Sequence, residues 1–160
     1  MNAKRKILEK IVRVDQAGEV GAQQIYEGQK LVFKTLKNKK DFDQISRMAD
    51  EEKEHLDYFN ELAKKESIKP TKLSNLFGVG AFAMGIGTAL LGRKAAYVCT
   101  EAVEEVIEAH YQKQIDELEG IHDDVREKII KFQEDEVEHK NTAINPVSYT
   151  HLTLPTTPYV

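Results

Sequence analysis

The sequence predicts an all-α protein, and three observations support this fold class. The 160-residue chain is 31% charged and contains only nine glycines and four prolines, a composition that favours helices over a β-sandwich or barrel. Apolar residues recur at helical spacing through long segments, in a chain long enough for one domain with a sizeable core. A pattern of glutamate, tyrosine and histidine also occurs twice, 84 or 85 residues apart, which indicates two copies of one helix pair.

The repeated pattern places a single glutamate in one helix and a Glu-x-x-His motif in the next. Glu52 and His55 form the first such motif, and Glu136 and His139 form the second. Residues three apart lie on one face of a helix, so each motif can direct a carboxylate and an imidazole at one centre. A single glutamate precedes each motif by 33 or 32 residues and is followed seven residues later by a tyrosine; these residues are Glu19, Glu104, Tyr26 and Tyr111.

This arrangement matches the ligand set of ferritin-like di-metal proteins, in which two helices each supply a glutamate and two each supply Glu-x-x-His. The sequence therefore predicts a ferritin-like four-helix bundle built from two helix-pair repeats, plus one apolar crossover helix. The predicted metal ligands are Glu19, Glu52, His55, Glu104, Glu136 and His139. Four carboxylates and two imidazoles suit iron or manganese. The sequence does not indicate which two carboxylates bridge the metals.

The four charged helices are predicted over residues 3–36, 41–66, 93–119 and 122–144. Asp41 is the expected N-cap of the second helix, and Gly120 is the expected C′ residue of the third. Gly18 and Gly21 flank Glu19, either to allow close helix packing or to leave room for a bulky substrate. The first helix has a predicted core face of ten aliphatic residues: Ile7, Leu8, Ile11, Val12, Val14, Val20, Ile25, Leu31, Val32 and Leu36.

Residues 73–92 form an apolar segment without a charged side chain. Three interpretations are open: a buried connecting helix, an interfacial helix lying on a bilayer, or a membrane span. A span would place the two repeats on opposite sides of a membrane, which a shared metal site forbids.

Residues 145–160 differ in composition from the domain predicted over residues 1–144. They contain no charged residue but include Pro146, Pro155 and Pro158. The final helix is not expected to continue beyond Pro146. The segment is predicted to be either a disordered terminus or sequence that is not native to the protein.

Two further pairs of residues are candidates for roles beside the metals. Tyr26 and Tyr111 are expected to hydrogen-bond ligands or substrate, to pass an electron, or simply to pack in the core. Glu51 and Asp135 each lie four residues before a ligand histidine. A metal-bound imidazole usually donates its second N–H to a carboxylate or carbonyl, so these acids are candidate acceptors. The alternative is that they are solvated surface acids.

The bulk properties exclude some classes of function. The net charge is −4 and no basic cluster dominates a face, which argues against nucleic acid as a partner. Cys99 is the only cysteine, so a disulfide framework is excluded and a reducing compartment is expected. No secretory signal or transit peptide is evident, and a bacterial-type location on the cytoplasmic side is expected.

With these residues in place, the chain resembles the demethoxyubiquinone hydroxylases, the di-iron monooxygenases of ubiquinone biosynthesis. The resemblance extends over about residues 5–144 and rests on residues 13–22, 52–56, 85–92, 99–105 and 134–139. It implies two iron ions per chain held by the six predicted ligands. From residue 145 onward the sequence departs from the family pattern.

The resemblance also implies an activity and partners. The substrate would be a polyprenylated demethoxyquinol, hydroxylated on its ring with O2 and with NADH as the indirect reductant. The protein would be peripheral on the cell membrane, contacting the bilayer through residues 73–92, and other ubiquinone-biosynthesis proteins are possible partners. A ferritin-type iron-storage protein and a helical interaction module are the alternatives. The apolar segment argues against a soluble iron-storage shell, and the matched repeat argues against an interaction module.

Overall fold

Five helices make up the part of the chain that the computed structural model describes, residues 3–71 and 74–148. They are α1 (Ala3–Thr35), α2 (Lys39–Lys65), α3 (Ser74–Leu90), α4 (Arg93–Leu118) and α5 (Asp123–Ser148). No strand is present in these two ranges, so the all-α prediction is confirmed. α1 packs against α2, and α4 packs against α5, as the two predicted helix pairs. α3 connects the pairs and lies along α1.

The core lies between the two helix pairs and is rich in large side chains. Phe33, Ile45, Phe59, Leu118 and Ile129 are at most 2% exposed. Burying a side chain of this size contributes about 1.5–3 kcal/mol.

The predicted core face of α1 is correct at Leu8, Ile11 and Val12 but wrong at three positions. Val14, Leu31 and Leu36 are 39, 49 and 62% exposed. Leu36 lies in the turn after α1, whereas for Val14 and Leu31 the reason is that a 33-residue helix has apolar residues on more than one face, which spacing alone does not separate.

The N-cap of α2 differs from the predicted residue. Asn38, not Asp41, caps α2, and its side-chain oxygen accepts a hydrogen bond from the backbone N–H of Asp41 at 3.3 Å. Asp41 is buried and instead accepts hydrogen bonds from Arg93 Nε at 2.7 Å and from the Tyr97 hydroxyl at 3.0 Å. The aspartate therefore joins the start of α2 to the start of α4.

The ends of α4 and α5 give one confirmation and one correction. Gly120 follows the C-cap of α4 with φ of 64°, as expected for a C′ glycine. α5 continues through Pro146 to Ser148, so the prediction that the helix stops at Pro146 is wrong. A proline removes one backbone donor but keeps a helical φ, which lets a terminal turn extend past it. Of the segment predicted to be disordered or non-native, residues 149–160 lie outside the described residues.

Two glycines allow α3 to lie very close to α1. A Cβ atom at Gly85 would collide with the backbone carbonyl of Ile25, and one at Gly28 would collide with that of Phe82. α3 buries Ala81 and Ala89 but leaves other apolar side chains exposed, so it is covered on one side only. Among the described residues, no helix is both long and apolar enough to cross a membrane. Residue 73, the first of the apolar segment, lies outside the described residues.

Candidate metal centre

All six predicted ligand residues meet in the middle of the bundle. α1 and α4 each contribute one glutamate, and α2 and α5 each contribute a glutamate and a histidine. Every one of these side chains is at most 3% exposed. Their ligand atoms form two groups, and within each group all of these atoms lie within 4.8 Å of one another. The groups are Glu19, Glu52, His55 and Glu136, and Glu52, Glu104, Glu136 and His139.

The two groups share Glu52 and Glu136, the glutamates of the two Glu-x-x-His motifs. Glu19 belongs to one group only, and Glu104 belongs only to the other. A carboxylate common to both groups is placed to bridge two metals, and a carboxylate in a single group is placed to bind one. The tertiary structure thus indicates a choice of bridging residues that the sequence left open.

The donor atoms fit a pair of metal ions because many of them have no other partner. Buried carboxylate oxygens of Glu19, Glu52, Glu104 and Glu136 have no hydrogen-bond partner, and for Glu136 this applies to both oxygens. An unpaired buried polar atom costs about 1–3 kcal/mol. Four carboxylates also carry four negative charges, which two divalent cations would balance. The set of oxygen and nitrogen donors suits iron or manganese.

Burial and neighbouring charges shift the pKa values of the four clustered glutamates in different directions. Burial and the neighbouring Glu52 raise the pKa of Glu19 well above its ordinary value, and burial also raises that of Glu136. Burial and the charge of Glu52 also raise the pKa of Glu104, to about 7. Burial also acts to raise the pKa of Glu52, but the hydrogen bond with His139 and the nearby imidazole of His55 outweigh it and lower the pKa to about 2.

The neighbouring carboxylates also shift the pKa of His139. Burial acts to lower its pKa, but its hydrogen bond with Glu52 and the surrounding carboxylates raise the pKa to about 9. The contact between the two groups therefore favours the charged forms of both His139 and Glu52.

Each of the two predicted ligand histidines presents its Nδ1 atom to the centre and its Nε2 atom to an acid of the other repeat. His139 Nδ1 lies 2.7 Å from Glu52, and His55 Nδ1 lies 3.2 Å from both Glu52 and Glu136. His139 Nε2 lies 2.8 Å from Glu51, and His55 Nε2 lies 3.1 Å from Asp135. The two candidate acceptor acids are therefore in contact with the histidines, but each contacts the histidine of the opposite helix pair.

The two tyrosines also act across the repeats. The Tyr26 hydroxyl donates a hydrogen bond to Glu104, and the Tyr111 hydroxyl donates one to Glu19. Both tyrosines are buried. Tyr111 in addition packs against Phe59, with ring centroids 6.3 Å apart. Hydrogen bonding to the predicted ligand glutamates and packing in the core are thus combined in the same side chains.

An open apolar groove of about 1170 Å³ runs between α1, α3 and α4. Its lining includes Gly18, Ala22, Phe77, Met84, Val103 and Ile107, with few polar groups. Val14 and His110, both of which are exposed, also line it. Sequence reasoning did not predict this groove, because it exists only once α3 is placed beside the bundle.

The groove also distinguishes the two roles considered for the glycines around Glu19. A Cβ atom at Gly21 would come within 2.6 Å of the Phe77 ring, so Gly21 serves the packing of α3. A Cβ atom at Gly18 would meet nothing within 4 Å, so Gly18 leaves open space in the groove.

A family model described as "Ubiquinone biosynthesis protein COQ7" matches residues 6–155. The chain belongs to this family. The match extends further towards the C-terminus than the stretches on which the sequence resemblance was based.

Several relatives in the family are similar over most of this chain. A Dictyostelium discoideum protein named "NADPH-dependent 3-demethoxyubiquinone 3-hydroxylase, mitochondrial" is 46% identical over 144 residues, covering 88% of this chain and 65% of the relative. The Homo sapiens protein of the same name is 41% identical, covering 90% of this chain and 67% of the relative. A Rhodospirillum rubrum protein named "3-demethoxyubiquinol 3-hydroxylase" is 39% identical, with coverages of 84% and 63%. The chain thus spans about two thirds of the length of these relatives.

Proposed function

We propose that this protein is a membrane-associated di-iron monooxygenase that hydroxylates the ring of a polyprenylated demethoxyquinol with O2, in ubiquinone biosynthesis. The observation that carries the proposal is the apolar groove beside the buried four-glutamate, two-histidine cluster. The names of relatives that are 39–46% identical support the choice of substrate.

Six residues would hold two iron ions, and bound iron would supply the reductive activation of O2. Glu52 and Glu136, which belong to both groups of ligand atoms, would contribute to both metal positions. Glu19 with His55, and Glu104 with His139, would complete the two metal positions. Glu51 and Asp135 would accept the second N–H of each histidine and so fix the ring orientation.

The groove would hold the substrate with its ring close to the metal positions. Gly18 and Ala22 line the groove from the helix that carries Glu19, and Val103 and Ile107 line it from the helix that carries Glu104. Ligand pockets commonly measure about 300–1,000 Å³, so a groove of about 1170 Å³ suits a long apolar molecule. Its apolar lining would replace water around the bound substrate, in a reaction that forms a ring C–OH bond and one water from O2, two electrons and two protons.

Tyr26 and Tyr111 would orient the two terminal carboxylates, since their hydroxyls donate to Glu104 and Glu19. The electrons would come indirectly from a nicotinamide nucleotide. The sequence resemblance implies NADH, whereas the names of the mitochondrial relatives specify NADPH. Comparing turnover with each nucleotide in a reconstituted system would distinguish them.

The exposed side of α3 supports contact with a membrane surface. Leu76, Phe77, Val79 and Leu90 are 56–71% exposed on this helix, and Leu91 follows it at 82%. An apolar helix surface of this kind fits the interfacial region of a bilayer, where a prenyl tail resides. The proposed location is peripheral, on the cytoplasmic side of a bacterial-type cell membrane, and other proteins of the pathway are possible partners.

An anaerobic Fe(II) titration followed by one reaction cycle tests this function. Saturation near two iron ions per chain is expected, followed by transfer of one atom of isotopically labelled O2 to a short-tailed demethoxyquinol. Glu104→Gln is expected to bind less iron and to lose the product. Iron uptake far beyond two per chain under air, without a hydroxylated product, would instead support iron storage.

A further inference from the structure

The internal repeat pairs two buried polar contacts that differ in one residue. The offset of 85 residues relates Gln29 to Gln114 and Asp15 to Thr100. In both halves, the glutamine of one helix bonds the shorter side chain of the other, across α1 and α4. All four side chains are at most 6% exposed. The repeat therefore places an ionisable group on one side of the centre and a hydroxyl on the other.

The contact between Gln29 and Thr100 is complete without an ionisable proton. The amide nitrogen of Gln29 donates to the backbone carbonyl of Ala96 at 3.0 Å and also lies 3.4 Å from the Thr100 hydroxyl. The same hydroxyl donates to the Gln29 amide oxygen at 3.4 Å. Donors and acceptors are matched on this side.

The contact between Asp15 and Gln114 has a donor too few. The Gln114 amide nitrogen donates to Asp15 Oδ1 at 2.6 Å. The second oxygens of both side chains, Asp15 Oδ2 and Gln114 Oε1, are buried and have no hydrogen-bond partner. An ionised carboxylate only accepts hydrogen bonds, whereas a neutral carboxyl group has one O–H donor. A proton on Asp15 therefore supplies the donor that the pair lacks.

We propose that Asp15 carries a proton and forms, with Gln114, a neutral acid–amide pair that positions Glu19 and Tyr111 on one side of the metal centre only. Asp15 lies one helical turn before Glu19, and Gln114 lies three residues after Tyr111, so the pair adjoins both ends of the Tyr111–Glu19 hydrogen bond. On the other side Thr100 and Gln29 take the same place without an acid. The inference rests on the assignment of Glu19 as a metal ligand, but not on the identity of the substrate.

Burial favours the neutral form of Asp15. Burial raises the pKa of Asp15 to about 8, although the hydrogen bond from Gln114 acts to lower it. The groups facing it are Glu19 on its own helix and Tyr111 on α4, on both of which it acts electrostatically. Glu52 of α2 acts electrostatically on Glu19, and Glu136 of α5 acts electrostatically on Tyr111. None of these groups is a cation that would stabilise an ionised Asp15.

The variant Asp15→Asn tests whether Asp15 is protonated. The asparagine amide N–H₂ supplies a hydrogen-bond donor in place of the carboxyl O–H, but it does not ionise. The infrared spectrum of the metal-free protein is expected to contain a protonated-carboxyl band at pH 7, to which Glu19 and Glu136 also contribute, and Asp15→Asn is expected to lose the part of its intensity that comes from Asp15. The pH dependence of the unfolding temperature is a second measurement of the same proton. A folded-state pKa near 8, above the unfolded value near 3.8, stabilises the protein at low pH, and this contribution is lost as the pH rises towards 8. Wild type is therefore expected to lose unfolding temperature relative to Asp15→Asn between pH 5 and 8.

Binding of Mn²⁺ alone tests the positioning role. Asp15→Asn is expected to bind two ions with affinities within about threefold of wild type, whereas Asp15→Ala loses about tenfold at one of the two positions. Thr100→Val, the matched control in the other repeat, is expected to keep the infrared band and the wild-type pH dependence.

An unchanged band in Asp15→Asn overturns the proposal, as does a loss of Mn²⁺ affinity in Asp15→Asn comparable with that of Asp15→Ala. If Asp15→Ala does not fold, the comparison of Asp15→Asn with wild type still decides. Failure to hydroxylate a quinol leaves all these readings unaffected, so the two proposals fail separately.

Discussion

Replacing Gly18 by leucine is expected to obstruct the groove while making α1 more stable. A Cβ atom at Gly18 meets nothing within 4 Å, and the residue lines the groove directly before Glu19. The new side chain therefore projects into space that the substrate is proposed to occupy. Glycine is less favourable than alanine by about 0.8–1.0 kcal/mol in a helix interior, and leucine is close to alanine, so a gain of roughly 0.7 kcal/mol in the free energy of unfolding is expected.

The size of the binding defect follows from the apolar contacts that are lost. If the leucine displaces about two methylene-sized groups of the substrate, the loss is about 1.6 kcal/mol, or roughly 15-fold in affinity. The assay is KM for a short-tailed demethoxyquinol, with bound iron and the unfolding temperature measured on the same sample. Iron content is expected to remain at the wild-type level.

Gly87→Leu is the matched control for Gly18→Leu. Gly87 also lies in a helix, and a Cβ atom there also meets nothing within 4 Å, but it is not among the residues that line the groove. The control is expected to gain similar stability and to keep the wild-type KM. A Gly18→Leu variant with wild-type KM would refute the groove as the substrate site, and a less stable one would refute the open space at Gly18.

Three further predictions concern the helix contact, the histidines and pH. Gly85→Ala is expected to lower the free energy of unfolding by at least about 2 kcal/mol, because the new methyl group collides with the backbone of α1. The control is Gly78→Ala, whose new methyl group would have its nearest atoms at 3.5–3.6 Å and which is expected to be neutral or stabilising. Chemical denaturation of both variants measures the difference. Glu51→Gln is expected to weaken Mn²⁺ binding about 10-fold or more, because it replaces the carboxylate beside His139; unchanged affinity in a metal titration would contradict this role. The pKa of His139 is about 9 in the folded state and 6.5 in the unfolded state, so its protonation stabilises the metal-free protein. This contribution is fully present below pH 6.5 and is lost as the pH rises through 9. The decline in unfolding temperature over this range should be smaller in His139→Gln.

The two helix pairs and the residues of the candidate metal centre could be predicted from local spacing. Glu52 and His55 share a helix face because they are three residues apart, and this holds wherever the helix lies. The repeat then identified the corresponding residues of the second pair, and the helix bounds followed from capping and breaking residues to within a few positions.

Errors arose where a residue had two uses that only packing distinguishes. Asp41 has the chemistry of an N-cap, but Asn38 takes that role and Asp41 binds Arg93 and Tyr97. Val14 has the spacing of a core residue but lines the groove. In both cases the deciding contact comes from a helix distant in sequence.

By itself, the sequence determined the fold class, the twofold repeat and the six candidate ligands, because helical periodicity and spacing are properties of the local chain. The tertiary structure decided that Glu52 and Glu136 are the shared carboxylates and that each tyrosine and each acid acts on the opposite repeat. It also decided the groove, which forms where α3 lies against α1. These features depend on distances between helices, and spacing along one helix carries no information about which residue of another helix it will face.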